Sequence, residues 1–545
     1  MLLLNQNVIC LGRLLTGCLI SWGLCFVNEV RANPEQSTQS VRDLNPQQIP
    51  GTIVLKRFEI VGNQVIPPAE IELLLQPYLF RPLSFIELLE VQRKITQLFV
   101  ERGYLTSGAY IPPQTIKDRT VVVEIIEGSL EEIKIYGLQH LRPEYIRGRI
   151  EIATEPPLKR DKLLNALQLL QLDPKIKNIS AELSQGINPG SNLLEIEIEE
   201  ANTFNTELTY NNYQAVSVGS QGREISVSED NVFGYGDRFT VSYINTPSSN
   251  SLAGLSYTVT LSPRNNEFQI FYSYSNSSII SEPFEELDLS SRGSYVEAIY
   301  RHPLLQTPKQ EFALSFAFSH QDTQLFLMDT DFPLARGTSI EGITKISALR
   351  LTQEYSNRSD RHVFALNSQF NIGLNVLDAT SNPDDIPDSQ FFIWRGQAQY
   401  IEQLGERTNL GLRVGLQFAD RSLVSLEQFR SGGALSVRGY RRDRTVGDNG
   451  LFFSTELQHD IWSNTQNNFN LSLIPFFDFG HVWNTDNLPL EVNTQAAIGL
   501  GIQLLLSETL TARFDWGIPL IADTGFQEDS LQDSGIYFSI KLKPF

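Results

Sequence analysis

From about residue 203 to the end of the chain, apolar and polar residues alternate, and this period of two is what most narrows the possible folds. Leu255-Ser256-Tyr257-Thr258-Val259-Thr260-Leu261 alternates without an error, as do Phe312 to Ser319, Leu410 to Phe418 and Leu510 to Trp516. Side chains along a strand point alternately to opposite faces, so each run has one greasy face and one that is polar or tiny. A soluble sandwich alternates as well; number and length separate the two. About eleven such strands precede the stretch 431–450 and about five follow it. An even number of strands of roughly 10 residues, aromatic outside and polar inside, describes an antiparallel outer-membrane barrel. The pattern therefore predicts a transmembrane β-barrel of 16 strands over residues 203–545, and its closure would remove sheet edges that otherwise aggregate. Past the N-terminus no apolar run reaches the about 18 residues that a membrane-spanning helix needs.

Residues 51–200 follow another rule. Phe58 to Ile66 can be laid over Ile133 to Leu141, after which Pro68 and Ile71 fall on Pro143 and Ile146. The closing strands Val121 to Gly128 and Leu193 to Glu200 correspond too, so the segment is an internal duplication. Each copy reads strand, helix, helix, strand, strand, which predicts two small α+β domains at 51–128 and 129–200. In the first, Ser84-Phe85-Ile86-Glu87 is a capping box, in which side chains satisfy the unpaired N–H groups of a first helical turn. Leu88, Val91, Ile95, Leu98 and Phe99 then form one apolar face, and Gly103 ends the helix. Leu163, Leu164, Leu167 and Leu170 take that part in the second copy, before Asp173-Pro174.

The N-terminus reads as an export signal over residues 1–32: Arg13 precedes an apolar run from Leu14 to Val27, and Val30-Arg31-Ala32 suits a signal peptidase. A lipoprotein reading of Leu15-Thr16-Gly17-Cys18 is weakened by Arg13, which would interrupt the apolar segment. Cys10, Cys18 and Cys25 all lie in this leader, so the mature chain has no disulfide, cysteine metal site or cysteine nucleophile. Residues 33–50, with Pro34, Pro46 and Pro50 among Gln and Ser, read as a flexible segment. The six histidines show no metal-ligand spacing. There is no Walker sequence, and Gly499-Leu500-Gly501 lacks the third glycine and following helix of a nucleotide site. No cofactor or metal is expected, and an enzyme is the weakest class. A net charge of −20 on an exported chain argues against nucleic acid.

Within this acidic chain, SGGALSVRGYRRDRTVGDNG at residues 431–450 crowds Arg438, Arg441, Arg442 and Arg444 together. The stretch reads either as an extracellular loop making ordinary surface contacts or as one dipping into the pore, which needs small residues to turn and to approach the wall, such as Gly432, Gly433 and Gly439. A dipping loop also needs a releasable anchor, and an Arg–carboxylate pair can be bidentate and charge-assisted. Asp478 lies deep in the strand Asn470 to Val482 and shares the parity of Phe476 and Gly480, so alternation alone does not fix its direction. A carboxylate is costly on the lipid side, which points it into the lumen. Water in the lumen would keep the arginine hydrated enough to let go. Arg441, Arg442 and Arg444 are left open between the lumen wall, lipopolysaccharide, a passing client and solvent.

These features together resemble a known family. Residues 51–200 resemble tandem POTRA domains, and the whole mature chain resembles the two-partner secretion translocators of the ShlB/FhaC/HecB type. Phe429-Arg430-Ser431-Gly432-Gly433 leading into Val437-Arg438-Gly439-Tyr440 is similar to that superfamily's lumenal-loop motif, here over about 429–447. Phe476-Phe477-Asp478-Phe479-Gly480 is similar to its partner on the barrel wall. The resemblance implies that Arg438 pairs with Asp478 and that the barrel exports a large, unfolded, β-rich exoprotein without ATP. It also implies periplasmic POTRA domains that catch the client, an outer-membrane setting with lipid and lipopolysaccharide, and insertion by the barrel-assembly machinery. The final strand, Tyr537 to Phe545, partly resembles the C-terminal signal read by that machinery, with Phe545 as its aromatic end. Client capture by strand addition would need a free POTRA edge, and Ser107 to Thr115, with Tyr110 and Ile111, would border it. The alternatives are a BamA/TamA-type insertase, whose relatives generally carry more POTRA copies, and a passive pore or adhesin, which leaves the repeats and paired motifs unexplained. Some relatives carry a plug helix ahead of the repeats. Here a helix over residues 33–50 would span only about 27 Å with nothing left as tether, so the Arg438 loop is the expected obstruction.

Overall fold

The computed structural model describes residues 52–282, 284–383, 386–464, 468–486, 488–523 and 530–544. The leader, the segment 33–50 and Phe545 lie outside them. The described chain divides into two compact units, one ending at Ala201 and one beginning at Asn202.

The first unit holds the duplication. Its first repeat comprises β1 (Ile53–Val54), β2 (Arg57–Val61), α1 (Pro68–Leu75), β3 (Pro82–Leu83), α2 (Phe85–Glu101), β4 (Gly108–Tyr110) and β5 (Thr120–Ile126). The second comprises β6 (Ser129–Tyr136), α3 (Pro143–Ala153), α4 (Arg160–Gln171), β7 (Ile176–Gln185) and β8 (Ser191–Glu200). In each repeat the closing strand is central, pairing parallel with the opening strand and antiparallel with the remaining one. Pro68 and Pro143 both open helices, where the missing proline N–H is no loss. The capping box is formed: Ser84 N–H donates to Glu87 Oε2 at 2.8 Å and Glu87 N–H to Ser84 Oγ at 3.4 Å. Both interiors are apolar, with Val91, Ile95, Phe99, Val121 and Val123 in one and Ile146, Ile150, Leu170, Leu194 and Ile196 in the other.

Two details differ from the sequence reading. Leu164 is 41% exposed, and Ala166 takes an inward place instead, because 163, 166 and 170 lie on one side of the helix and 164 is turned away from it. The first repeat also carries the small β1–β3 pair, which the alignment with the second gave no reason to expect.

The second unit is a closed antiparallel barrel of 16 strands, from Phe204–Asn211 to Ile536–Leu542. Eleven precede residue 429 and five follow residue 447, with a two-residue extra strand, Thr330–Asp331, beside Gln310–Leu327. The last strand closes on the first through Ser539–Leu542 and Leu208–Asn211. Alternation sorts the faces: Phe514, Trp516 and Ile518 are exposed on the outside, whereas Asp515 is buried. At the turn after Leu261, Asn265 N–H donates to Ser262 O and Leu261 N–H to Asn266 O.

Candidate functional site

Between the strands Thr408–Ala419 and Asn449–Asn464 the chain leaves the wall and folds against its inner face. Phe429–Ser431 and Thr445–Gly447 pair as a short antiparallel hairpin that narrows the loop to a stem. Beyond it, Gly432, Gly433 and Gly439 take positive φ of 108°, 95° and 96°, a backbone region that L side chains resist.

Arg438 is 1% exposed and Asp478 is fully buried. The guanidinium grips that carboxylate in a fork, Nε to Oδ2 at 2.7 Å and Nη2 to Oδ1 at 2.9 Å, while the Arg438 backbone N–H reaches Oδ2 at 3.1 Å. Phe476, from the same strand face, lies under the guanidinium with 3.4 Å between Cζ and the ring centroid. The parity shared by Phe476, Asp478 and Gly480 is thus an inward one, aromatic residue included.

The wall is bare where the loop rests. A Cβ at Gly480 would stand 2.5 Å from Ser431 Oγ and 2.8 Å from Val437 Cγ2, and one at Gly517 would stand 2.6 Å from Gly439 N. Val437 is wholly buried there, and Tyr440 is 2% exposed with its hydroxyl donating to Ile521 O at 2.8 Å. Tyr537, on the last strand, donates its hydroxyl to Tyr440 O and accepts the Gly439 N–H at 3.1 Å.

Sequence reasoning singled out one carboxylate, but the seat holds three. Arg438 Nη1 also meets Glu456 Oε1 at 2.6 Å and Asp515 Oδ1 at 3.3 Å. Arg513 shares both, at 3.0 Å to Glu456 and 2.8 Å to Asp515. The rule used for Asp478, that a charge on an alternating strand belongs inside, would have found Glu456, Arg513 and Asp515 as well. The burial of Arg438 corrects one expectation, since a side chain 1% exposed is not kept ready for release by hydration. Two of the three carboxylates have a second partner in Arg513.

The three arginines left open all have partners inside the barrel unit. Arg441 pairs with Asp533, and Arg444 holds Asp523 at 2.6 Å and Glu491 at 3.3 Å. Arg442 donates to Tyr213 O at 2.9 Å and Gln214 Oε1 at 3.0 Å, beside the junction of first and last strands. Among the described residues no group of three His, Cys, Asp or Glu could hold a metal ion.

Tyr110 is 41% exposed at the end of the three-residue edge strand β4, and Ile111 packs on the first repeat's core. Thr96 Oγ1 on α2 accepts the Ala109 N–H at 3.0 Å, so part of that strand's backbone is already engaged.

The chain thus combines a duplicated βααββ unit with a closed barrel of 16 strands whose own loop is ion-paired to the inner wall, the architecture of an outer-membrane barrel protein. Residues 190–504 match the haemolysin secretion/activation protein family ShlB/FhaC/HecB and residues 53–128 the ShlB-type POTRA domain, and the chain belongs to that family. It is 25% identical over 431 residues to the outer membrane transporter CdiB of Dickeya dadantii (strain 3937), covering 75% of this chain and 72% of that one. It is 22% identical over 454 residues to the heme/hemopexin transporter protein HuxB of Haemophilus influenzae (strain 86-028NP), covering 81% and 79%. The fold is shared with CdiB from Escherichia coli, at a TM-score of 0.69 and 19% identity over 92% of both chains. A BamA from Haemophilus ducreyi lacking POTRA domains 1–3 has the fold at 0.54 and 14% identity, covering 90% of this chain and all of that one. The protein is a two-partner secretion transporter of the outer membrane, with POTRA domains in the periplasm and a secreted exoprotein as partner. That reading prevails over the insertase one.

Proposed function

We propose that the client crosses the barrel as an unfolded, β-rich chain, and that the Arg438 loop must leave its acidic seat to let it pass. The observation that carries this is the loop's position against the inner wall, fixed by a buried arginine on Asp478, Glu456 and Asp515. The repeats catch the client by adding its strand to a sheet edge. Tyr110 and Ile111 border one such edge, and β7, ten residues long, is a longer one in the second repeat. No nucleotide motif is present in the sequence, and client folding outside the cell supplies the directional bias. Lipid and lipopolysaccharide surround the barrel, and the barrel-assembly machinery inserts it, reading the C-terminal segment of the sequence with its last residue, Phe545.

Arg438→Ala and Asp478→Ala each test this. Heat-modifiable gel mobility is expected to show an inserted barrel, while client in the medium falls sharply. Normal export by both variants would refute the anchor.

A further inference from the structure

The loop has a second buried ion site, at its stem and of opposite polarity. Glu427 lies between the wall strand Thr408–Ala419 and the hairpin, and is 2% exposed. Its carboxylate is held by two wall arginines, Arg350 Nη2 to Oε1 at 2.8 Å and Arg395 Nη2 to Oε2 at 2.7 Å. Its backbone carbonyl accepts from Arg395 Nη2 at 3.0 Å and from Gln417 Nε2 at 2.9 Å. Three neighbouring wall strands therefore converge on this one loop residue. The arginines are themselves positioned: Arg350 donates to Asn371 Oδ1 at 2.6 Å and Ser319 Oγ at 3.1 Å, and Arg395 to Gln417 Oε1 at 2.7 Å.

The stem is braced around this point. Leu423 and Val424 are buried against Ile346 and Ile393. Asp448, on the returning leg, accepts the Leu423 N–H at 2.9 Å and Gln428 Nε2 at 3.1 Å, tying the two legs together.

We propose that Glu427 is a positioning residue that holds the loop over the lumen independently of Arg438. The two sites use separate strands: Arg350 and Arg395 stand on Ile343–Arg358 and Phe392–Gly405, whereas the acids facing Arg438 stand on Asn449–Asn464, Phe469–Trp483 and Leu510–Pro519. A buried carboxylate removed from between two arginines leaves both uncompensated apart from Glu297, 3.9 Å from Arg350. Because the two sites share no residue, losing the pairs at one leaves those at the other in place.

The inference rests on the loop being the pore's obstruction, so the test carries a control for that reading. The full-length protein is compared in planar bilayers as wild type, Glu427→Gln, Glu427→Asp, Arg438→Ala, the Arg438→Ala/Glu427→Gln pair and a deletion of residues 433–444. Heat-modifiable mobility checks each barrel. Glu427→Gln is expected to raise open-channel occupancy about tenfold, the factor equivalent to about 1.4 kcal/mol. Glu427→Asp, which keeps the charge, should recover most of the closed state, and the pair should open more than either single variant. If Glu427→Gln does not yield a folded barrel, Arg395→Gln, which leaves Arg350 on Glu427, should give the same change in smaller measure. Wild-type conductance in the folded Glu427 and Arg395 variants, with the deletion opening the pore, overturns the second anchor alone. A deletion that does not open the pore overturns the obstruction reading and this inference with it.

Discussion

The interiors of the two units are built from opposite chemistry. The repeats bury apolar side chains such as Ile95, Phe99, Ile146 and Ile150, and hydrophobic burial is non-directional and tied to no single partner. The barrel buries Arg438, Asp478, Asp515, Arg350 and Glu427, whose contributions depend on keeping particular partners at particular distances. An interior of the first kind stays folded while its surface works; one of the second kind can be switched by exchanging partners. We accordingly assign movement to the ionic interior and client capture to the repeats.

The contrast is broken most forcefully from the apolar side. Phe99→Ala removes a fully buried ring and should destabilise the first repeat by about 3–5 kcal/mol. Urea denaturation of purified residues 51–200 would read this, and a loss near zero would mean that the repeat interior is not of the first kind. A smaller effect concerns a carboxylate of that surface. The Ser84 backbone N–H, followed by the Arg81 guanidinium, holds the partly exposed Glu87 carboxyl at about 2 against an ordinary 4.5. Because the folded-state value is depressed, its contribution is complete above pH 4.5 and is lost as the pH falls towards about 2. Stability of the repeats measured across that window should decline, and Glu87→Gln should flatten the decline. The smallest effect is expected ahead of the repeats: deleting residues 33–50 should leave single-channel conductance nearly unchanged, whereas a wide opening would show that this segment plugs the pore.

The fold was legible because periodicity survives without an alignment. Alternation marked the barrel strands, and the match of Phe58 to Ile66 with Ile133 to Leu141 marked the repeats. Leu164 misled because a run of leucines marks a helix without fixing which of them face in. At the lumen, Arg438 and Asp478 could be singled out as a glycine-flanked arginine and a carboxylate inside a strand. Glu456, Arg513 and Asp515 were missed although the same parity argument covers them. Glu427 had no such signal: it lies in irregular chain between elements, and its arginines are 77 and 32 residues away. Pairing of consecutive wall strands, with the loop returning against them, brings them together.

The central claim is that the loop must leave its seat for the client to pass. Every cysteine of the chain lies at or before position 25, so the barrel's own sequence has none and an introduced pair would be the barrel's only thiols. A Cβ at Gly480 would lie 2.8 Å from Val437 Cγ2, about where a sulfur on residue 437 would stand, and 2.5 Å from Ser431 Oγ, which Ser431→Ala removes. In Val437→Cys/Gly480→Cys/Ser431→Ala the oxidised protein is predicted to be a folded barrel that exports no client, with export returning when a reductant breaks the bond. Undiminished export through the oxidised, crosslinked barrel would contradict the account.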